Sequence, residues 1–417
     1  MTNFPGISKY LRLVRVFAVI LGLAGFAHTQ TETILYNFGV FPDGSQPQAS
    51  VVADASGNLY GTTGFGGASG VGMVFKLTHT TDGWQKSALW NFTGGKDGAQ
   101  PCGLVFDGAG NLYGATSSGG AYNLGVVYKL SPTASGTWRQ TVIHTFAPAQ
   151  GAATPPISWY PSTLVIDGAG NLYGTTLYGG SHRYGGTVYK LSPKATGGYS
   201  MAVLYQFTGG SDGQYPATRS LTLDSQGQLY GTTNSGGPFG AGVVFKLTPT
   251  PSGAWTQSIV YAFTGQKDGA APNGGLIFDN AGNLYGTTGA GGSTKCYPGC
   301  GVVFRLSPTA SGTWIQRQLY VFEQQEAPYG GLIADPAGNL YGTTTGGGAN
   351  GFGTVFKLSP TATGSWTKTV LHDFAGYPAQ DGLNPHGTLL RDAAGNLYGT
   401  AFTGGSFFNG VVFEVTP

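Results

Sequence analysis

The chain has 417 residues, of which 40% are hydrophobic and 13% aromatic, and this composition excludes a disordered polypeptide. Its 74 glycines and 23 prolines indicate many tight turns between short strands. Charged residues are only 9% of the chain and the formal net charge is +2, so a nucleic-acid partner, which needs a basic surface, is not expected.

Residues 1–27 have the pattern of a secretory signal peptide, in which basic residues precede a short apolar run. The run, 16–27, has 12 residues, whereas a transmembrane helix needs about 20. An uncleaved anchor is the alternative. We expect cleavage after Ala27, export to the periplasm or the cell exterior, and a mature chain, 28–417, without a transmembrane span.

One string then recurs seven times, Asp-x-x-Gly-Asn-Leu-Tyr-Gly-Thr-Thr with few changes. Its copies begin at Asp54, Asp107, Asp167, Asp224, Asp279, Asp335 and Asp392. Successive copies start 53 to 60 residues apart, a period near that of kelch propellers. The sequence therefore predicts seven copies of one supersecondary unit.

Each unit contains four short segments that are rich in β-branched and aromatic residues. Strand a is an apolar run that ends on the Asp, and strand b is Asn-Leu-Tyr-Gly-Thr-Thr. Strand c has the pattern Gly-Val-Val-Phe-Lys-Leu, as at 242–247, and strand d the pattern Val-Leu-Tyr-x-Phe, as at 203–207. The expected fold is all-β, a seven-bladed β-propeller of four-stranded blades.

The number of d strands predicts how the ring closes. Only six d strands follow a c strand, because the seventh c strand, 410–415, runs into the chain end. The missing d pattern occurs before the first a strand, at 34–38. We expect this N-terminal strand to pair with the last blade, because that pairing removes the open edges of the array.

The repeated Asp-x-x-Gly suits the turn between strands a and b. Asp is favoured at the first position of a type I turn, and Gly at the fourth position, where φ is positive. We interpret the seven aspartates as structural turn formers. A ring of catalytic or metal-binding carboxylates is the alternative.

The three cysteines divide into a pair and a single residue. Cys296 and Cys300 bracket Tyr-Pro-Gly in one b–c loop, and an exported protein meets an oxidising compartment, so we expect a disulfide between them. Cys102 begins an inner strand and is expected to be buried. Two thiols without a nearby histidine do not suit zinc. No metal and no cofactor are expected.

The Asp-x-x-Gly-Asn-Leu-Tyr stretch resembles the NHL-type propeller repeat. The fuller string, continued by Gly-Gly and Gly-Val-Val-Phe-Lys-Leu-Ser-Pro, is similar to the GloVer tandem repeat of exported bacterial proteins. The resemblance covers residues 31–417 and implies a propeller and export, but no particular activity. Members of that family carry C-terminal anchors of different kinds, and this chain shows no recognisable one.

With strand a innermost, the b–c and d–a loops share one face of the ring. These loops differ between blades and are rich in aromatic residues, whereas the opposite connections repeat Ser-Pro-Thr-Ala-x-Gly-x-Trp. Candidate ligand-binding residues on the variable face are Tyr122, Trp159, Tyr160, His182, Arg183, Tyr184, Phe239, Tyr297, Phe352, His386, Phe407 and Phe408. Variation on a constant scaffold is typical of a binding face. For any one residue, an ordinary loop aromatic that covers a blade tip is the alternative.

These patterns favour a monomeric, exported, non-catalytic binding or scaffold module for a glycan, a peptide or a protein of the cell envelope or the exterior. An NHL-like propeller enzyme of the lactonase or lyase type, with a metal or an acid–base cluster at the channel mouth, is the first alternative. A purely structural envelope protein is the second. Convergence of Glu323, Glu326, His182, Arg183 and His386 would favour the enzyme.

Overall fold

The computed structural model describes residues 31–148, 163–182, 184–216, 221–295, 300–323, 326–376 and 380–417. The predicted signal peptide lies outside these residues. Seven antiparallel sheets are arranged as a propeller, and each has strands a to d in order from the channel outwards. The all-β, seven-bladed fold expected from the repeats is confirmed.

The strands have the same order in every blade. The innermost a strands are Val52–Ala53, Ala99–Phe106, Val165–Ile166, Thr222–Leu223, Ile277–Phe278, Ile333–Ala334 and Leu390–Arg391. The b strands are Leu59–Thr63, Leu112–Ser118, Leu172–Thr176, Leu229–Ser235, Leu284–Ala290, Leu340–Thr344 and Leu397–Gly404. The c strands are Met73–Thr80, Val126–Pro132, Thr187–Pro193, Val243–Pro249, Val302–Pro308, Thr354–Pro360 and Val411–Thr416.

The outermost d strands begin earlier than the sequence pattern indicated, in most blades at the repeated tryptophan. They are Gly83–Asn91, Trp138–Thr145, Tyr199–Gln206, Trp255–Ala262, Trp314–Val321, Trp366–Asp373 and, in blade 7, Thr31–Asn37. Short strands in the d–a loops add to the sheets of blades 4, 5 and 7 at Gln214–Pro216, Ala270–Pro272 and Gly382–Pro385. Gly44–Ser45 and Phe65–Gly66 form a separate two-stranded ribbon.

The core lies between neighbouring blades. The Phe after each d strand contacts an aromatic ring in strand c of the next blade edge-on, as Phe92 contacts Tyr128 with ring centroids 5.1 Å apart. The same contact occurs at all seven interfaces, with centroid distances of 5.1 to 5.3 Å. The repeated Gly of strand b leaves room for that ring, since a Cβ at Gly61 would lie 2.5 Å from Phe75 Cζ. Only glycine therefore suits this position.

The first described strand lies beside the last one. Thr31–Asn37 pairs antiparallel with Val411–Thr416, and Thr31 is opposite Thr416. Phe38, which follows the strand, is fully buried and contacts Phe75 of blade 1 at 5.2 Å. The N-terminal strand therefore occupies the d position of blade 7 and contributes to the core of blade 1.

Blade 7 differs from blades 2, 4 and 5 at one half-buried position of its d strand, where those blades have a Gln. In blade 2 the side-chain amide of Gln140 donates to the carbonyl oxygen of Asp97 in the adjoining loop at 2.8 Å. The equivalent residue of blade 7 is Glu32. Burial raises the pKa of Glu32 to about 7, a neighbouring His372 opposes this, and Asp381 adds to it.

This raised pKa predicts that the stability contributed by the N-terminal strand depends on pH. The stabilising contribution of Glu32 is fully present below about pH 4.5, the ordinary pKa of its carboxyl group. It is lost as the pH rises towards 7, because folding then buries a charged carboxylate. His372 and Asp381 are the titratable groups that face it. Glu32→Gln should raise the melting temperature above that of the parent at about pH 8 and leave it unchanged at about pH 4.

Gln140→Glu is the matched reciprocal variant, because it places a carboxylate at the same position of blade 2. It should introduce a loss of stability over the same pH range. Thermal unfolding followed by circular dichroism measures both. An equal effect of Glu32→Gln at acid and alkaline pH would contradict the prediction.

Candidate functional site

The seven repeated aspartates lie in the a–b turns, on the side of the ring that we call the turn face. In blade 2, Asp107 Oδ1 accepts hydrogen bonds from the backbone N–H groups of Ala109 and Asn111, both at 2.9 Å. Its Oδ2 accepts from Asn111 Nδ2 at 2.7 Å and from the Tyr113 hydroxyl at 3.1 Å. Burial alone would raise the pKa of Asp107, but these hydrogen bonds outweigh it and lower the pKa.

All seven aspartates accept the same two hydrogen bonds from the Asn or Gln four positions later. Gly110, at the fourth position of the turn in blade 2, has a φ of +80° and donates its N–H to the Asp107 carbonyl oxygen. Carboxylates held by turn donors in this way favour the structural interpretation over a ring of catalytic acids.

The repeated tryptophans of the turn face pack between blades. Trp138 lies edge-on to Tyr60 of the preceding blade, with centroids 6.2 Å apart, and Trp314 lies in the same way against Tyr230 at 6.3 Å. Lys76 Nζ lies 5.6 Å from the centre of the Tyr60 ring. The turn face is therefore built of repeated packing layers that vary little around the ring.

The opposite side, which we call the loop face, carries most of the exposed large apolar side chains. Among the described residues there are twelve such side chains, and nine of them lie in b–c or d–a loops of this face. They are Val40, Phe41, Phe65, Tyr122, Tyr184, Phe239, Phe352, Phe407 and Phe408. The other three lie on outer d strands. Exposed apolar side chains concentrated on one face are a feature of interaction surfaces.

Six predicted ligand-binding aromatics are in this exposed set, and they lie in the b–c loops of five blades. Their exposed fractions run from 39% for Phe352 to 62% for Phe239. His182 is also exposed, and its Nδ1 lies 3.1 Å from Ser181 Oγ. Trp159, Tyr160, Arg183, Tyr297 and Cys296 lie outside the described residues. The predicted disulfide stays a prediction, with Cys300 buried; Cys102 is buried as expected.

Phe408 has an unusual backbone conformation for an aromatic residue. Its φ is +59°, and the equivalent residues of other b–c loops are Gly70, Gly240, Gly351 and Asn123, which have positive φ as well. A non-glycine residue in this region costs about 1–2 kcal/mol. A strained residue that holds an exposed aromatic ring is typical of functional sites.

Tyr184 belongs to a small aromatic cluster between blades 3 and 4. Tyr178 lies edge-on to both Tyr184 and Tyr215, with centroids 6.4 and 5.3 Å apart. Burial raises the pKa of Tyr215, and its two tyrosine neighbours raise it further. The cluster joins a b–c loop of one blade to the d–a loop that leads into the next.

The a strands surround a central channel that holds a cavity of about 190 Å³. Its described lining consists of glycine, serine, threonine and aliphatic residues, among them Gly275, Gly331 and Thr388. His386, a predicted site residue, lies two positions before Thr388, at the mouth of the channel on the loop face. It contacts Phe402 edge-on at 5.6 Å and lies 6.3 Å from Tyr329.

The two glutamates that could have formed part of an acid–base cluster have other partners. Glu326 is 7% exposed and forms a buried ion pair with Lys368. Glu323 pairs with Lys295 at the surface. In the part of the chain that the structure describes, no group of three or more His, Cys, Asp or Glu side chains is arranged to hold a metal ion. The same residues include no helix of the length and apolarity that a membrane span requires.

Sequence reasoning missed four residues at the channel mouth, Asn234, Asn273, Gly289 and Phe402. Asn234, Gly289 and Phe402 directly follow the second Thr of strand b or, in blade 7, the Ala that replaces it. Asn273 directly follows the Pro that precedes strand a. Residue type varies between blades at both positions, within an otherwise constant string. This variation was the signal that could have identified them.

Comparison with known proteins gives a family and a fold. The model of the Gloeobacter/Verrucomicrobia repeat matches residues 24–158, 153–326 and 296–417. This agrees with the family resemblance seen in the repeated strings. No curated protein matches the chain.

Several solved structures are similar to the chain. The extracellular domain of a B. thetaiotaomicron protein described as a one-component system has a TM-score of 0.55 at 13% identity, over 93% of this chain and 40% of that one. A structure of that domain described as part of a hybrid two-component system has a TM-score of 0.52 at 13% identity, over 90% and 39%. A gluconolactonase from Xanthomonas campestris has a TM-score of 0.41 at 16% identity, over 75% and 85%. The chain spans about two fifths of the first two proteins.

Proposed function

Because the chain belongs to the Gloeobacter/Verrucomicrobia repeat family and its exposed aromatic side chains gather on one face of a propeller, we propose that it is an exported, non-catalytic binding module. The loop face holds a glycan, a peptide or a protein of the cell envelope or the exterior. The observation that carries this proposal is the position of nine of the twelve exposed large apolar side chains in the described residues. Solvent exposure of so many rings in loops of one face costs free energy unless a partner covers them.

The construction of the two faces supports this division of roles. On the turn face, hydrogen bonds and ring contacts repeat from blade to blade and hold the ring together. On the loop face, the scaffold glycines are constant, whereas the side chains between them change. A rigid scaffold that presents variable loops is a common arrangement for recognition.

Alanine substitutions on each face test the proposal. Tyr122→Ala, Tyr184→Ala and Phe408→Ala in one chain remove exposed rings from three blades, and we expect them to abolish binding with little change in melting temperature. Trp138→Ala and Trp314→Ala, as the control pair, should lower the melting temperature because both rings pack between blades. Binding is measured on glycan and peptide arrays and with purified envelope proteins.

Two outcomes would count against the proposal. Loss of binding only in the tryptophan pair, at an unchanged melting temperature, would place the site on the turn face. Equal affinity of the parent and the triple variant for every ligand that the parent binds would show that the loop aromatics are not part of the site.

A further inference from the structure

Six residues form an arc around part of the channel mouth, from blade 4 to blade 7. We call this the mouth arc: Asn234, Asn273, Gly289, Tyr329, His386 and Phe402. Asn273, Tyr329 and His386 each precede by two positions a residue that lines the channel cavity. All six are partly exposed, which is the state of groups that border an opening.

One half of the arc is aromatic. The rings of Tyr329 and His386 are tilted by 36° with centroids 6.3 Å apart, and His386 meets Phe402 edge-on at 5.6 Å. The three side chains come from two blades and three different loops or strands, so their contact depends on how neighbouring blades of the propeller are arranged. Aromatic faces of this kind pack against the C–H groups of a ligand.

The other half of the arc carries amides. Asn234 Nδ2 donates to Asn273 Oδ1 at 2.5 Å, which fixes both side chains across the boundary between blades 4 and 5. An Asn has one carbonyl oxygen and two amide hydrogens. The pair therefore presents both an acceptor, on Asn234, and donors, on Asn273, to a ligand in the mouth.

Gly289 leaves a gap between the two halves. A Cβ at this residue would lie 3.1 Å from both Asn273 Nδ2 and Tyr329 Cε1. The amide and the aromatic ring thus border the same small space. The backbone φ of Gly289 is not in the left-handed region. The glycine therefore provides space at this position and not a special backbone conformation.

The residues of the mouth and of the channel below it that the structure describes carry little charge. The described lining of the cavity has no ionisable side chain, and His386 is the one residue of the mouth arc that can carry a charge at neutral pH. The cavity of about 190 Å³ is smaller than the roughly 300–1,000 Å³ of pockets for drug-sized ligands. A site of this size and charge suits one small, polar, uncharged unit.

We propose that the mouth arc binds the terminal unit of a neutral saccharide, with the aromatic half against the C–H face of the sugar and the amide half on its hydroxyl groups. This deepens the proposed binding role and rests on it, but it uses residues outside the exposed b–c loops. A sugar ring combines an apolar face with hydroxyl groups that both donate and accept, and the two halves of the arc match these properties. The described residues of the mouth offer an acidic or cationic ligand no fixed counter-charge.

Isothermal titration calorimetry of the full protein tests the proposal with glucose, galactose, N-acetylglucosamine and cellobiose as neutral probes, and with glucuronate and glucosamine as charged ones. We expect at least one neutral sugar to bind with a Kd of about 1 mM or tighter. Tyr329→Ala and Asn273→Ala should each weaken that binding at least about tenfold. Gly289→Leu, which fills the gap, should abolish it. Melting temperatures verify that each variant is folded.

Ile315→Ala is the matched control, because it removes an exposed apolar side chain from an outer d strand, away from the mouth arc and from the loop face. It should leave sugar affinity unchanged. The arc variants are tested with small sugars by calorimetry, and the triple loop variant is tested with arrays and envelope proteins. Failure of this proposal and failure of the proposed function are therefore separate results. No binding of any neutral sugar, equal or tighter binding of the charged probes, or full affinity in folded Tyr329→Ala and Asn273→Ala variants would overturn the proposal.

Discussion

A chain that begins at Phe41, and so lacks the strand Thr31–Asn37, is expected to lose its cooperative unfolding transition and much of its solubility. The deletion exposes the whole edge of Val411–Thr416, which pairs with that strand. It also removes Phe38 and Leu35 from the core cluster that contains Phe75 of blade 1. An open, apolar strand edge is a template for aggregation, so the defect should extend beyond blade 7.

A circular permutant separates the need for the strand from the need for its place in the sequence. Residues 31–40 are moved to follow Pro417 through the c–d turn found in the other blades, such as the turn from Thr309 to Thr313. This chain has the complete seventh blade and should recover a melting temperature near that of the parent. Calorimetry and size-exclusion chromatography measure both chains. A deletion chain that unfolds like the parent would show that the N-terminal strand does not close the ring.

Glu326→Gln is expected to destabilise the protein by about 3–5 kcal/mol, the usual cost of removing one partner from a buried ion pair. Its partner Lys368 has a side chain only 9% exposed, lies over the rings of Tyr320 and Phe322, and would keep an uncompensated charge. Glu326 also accepts a hydrogen bond from the backbone N–H of Glu323 at 3.2 Å. Urea unfolding measures this loss of stability as a lower transition midpoint, with the dependence of the unfolding free energy on urea concentration unchanged.

The chain offers a control for this substitution in the same loop. Glu323 pairs with Lys295, but the two side chains are 54% and 69% exposed, so Glu323→Gln should change stability by less than about 1 kcal/mol. The double variant Glu326→Gln, Lys368→Met should recover most of the lost stability, because no charge remains buried. Similar effects of Glu323→Gln and Glu326→Gln would contradict the burial argument.

Local patterns were enough to predict the blades. Strand order, turn positions and the glycine opposite the aromatic ring of strand c recur in every repeat, so each prediction rests on seven copies. The pairing of Thr31–Asn37 with the last c strand also follows from counting, since an unpaired edge is costly whatever the loops do. Strand ends were less predictable. The d strands begin earlier than their apolar pattern because the c–d hairpin continues the pairing through polar residues.

Residue type alone also selected aromatic loop residues that the structure places at the surface, as with Phe239 and Tyr122. It could not show which acids are buried. Glu323 and Glu326 are three positions apart in one loop, yet one is at the surface and the other is covered by Lys368 of the next d strand. Burial of that kind depends on how closely one blade packs against the next.

The sequence by itself therefore determined the number of blades, their strand order, the composition of each face and the pairing of the N-terminal strand with the last blade. Each of these is written in residues close together in the chain or repeated along it. Only the tertiary structure decided which side chains of different blades meet, as Asn234 meets Asn273 and Tyr329 meets His386. Those contacts depend on the angle between neighbouring blades and on the closeness of the inner strands, where Thr400 donates to the carbonyl oxygen of Ala49, 351 positions away. No spacing along the chain encodes that geometry, because it arises only when all seven blades close into one ring.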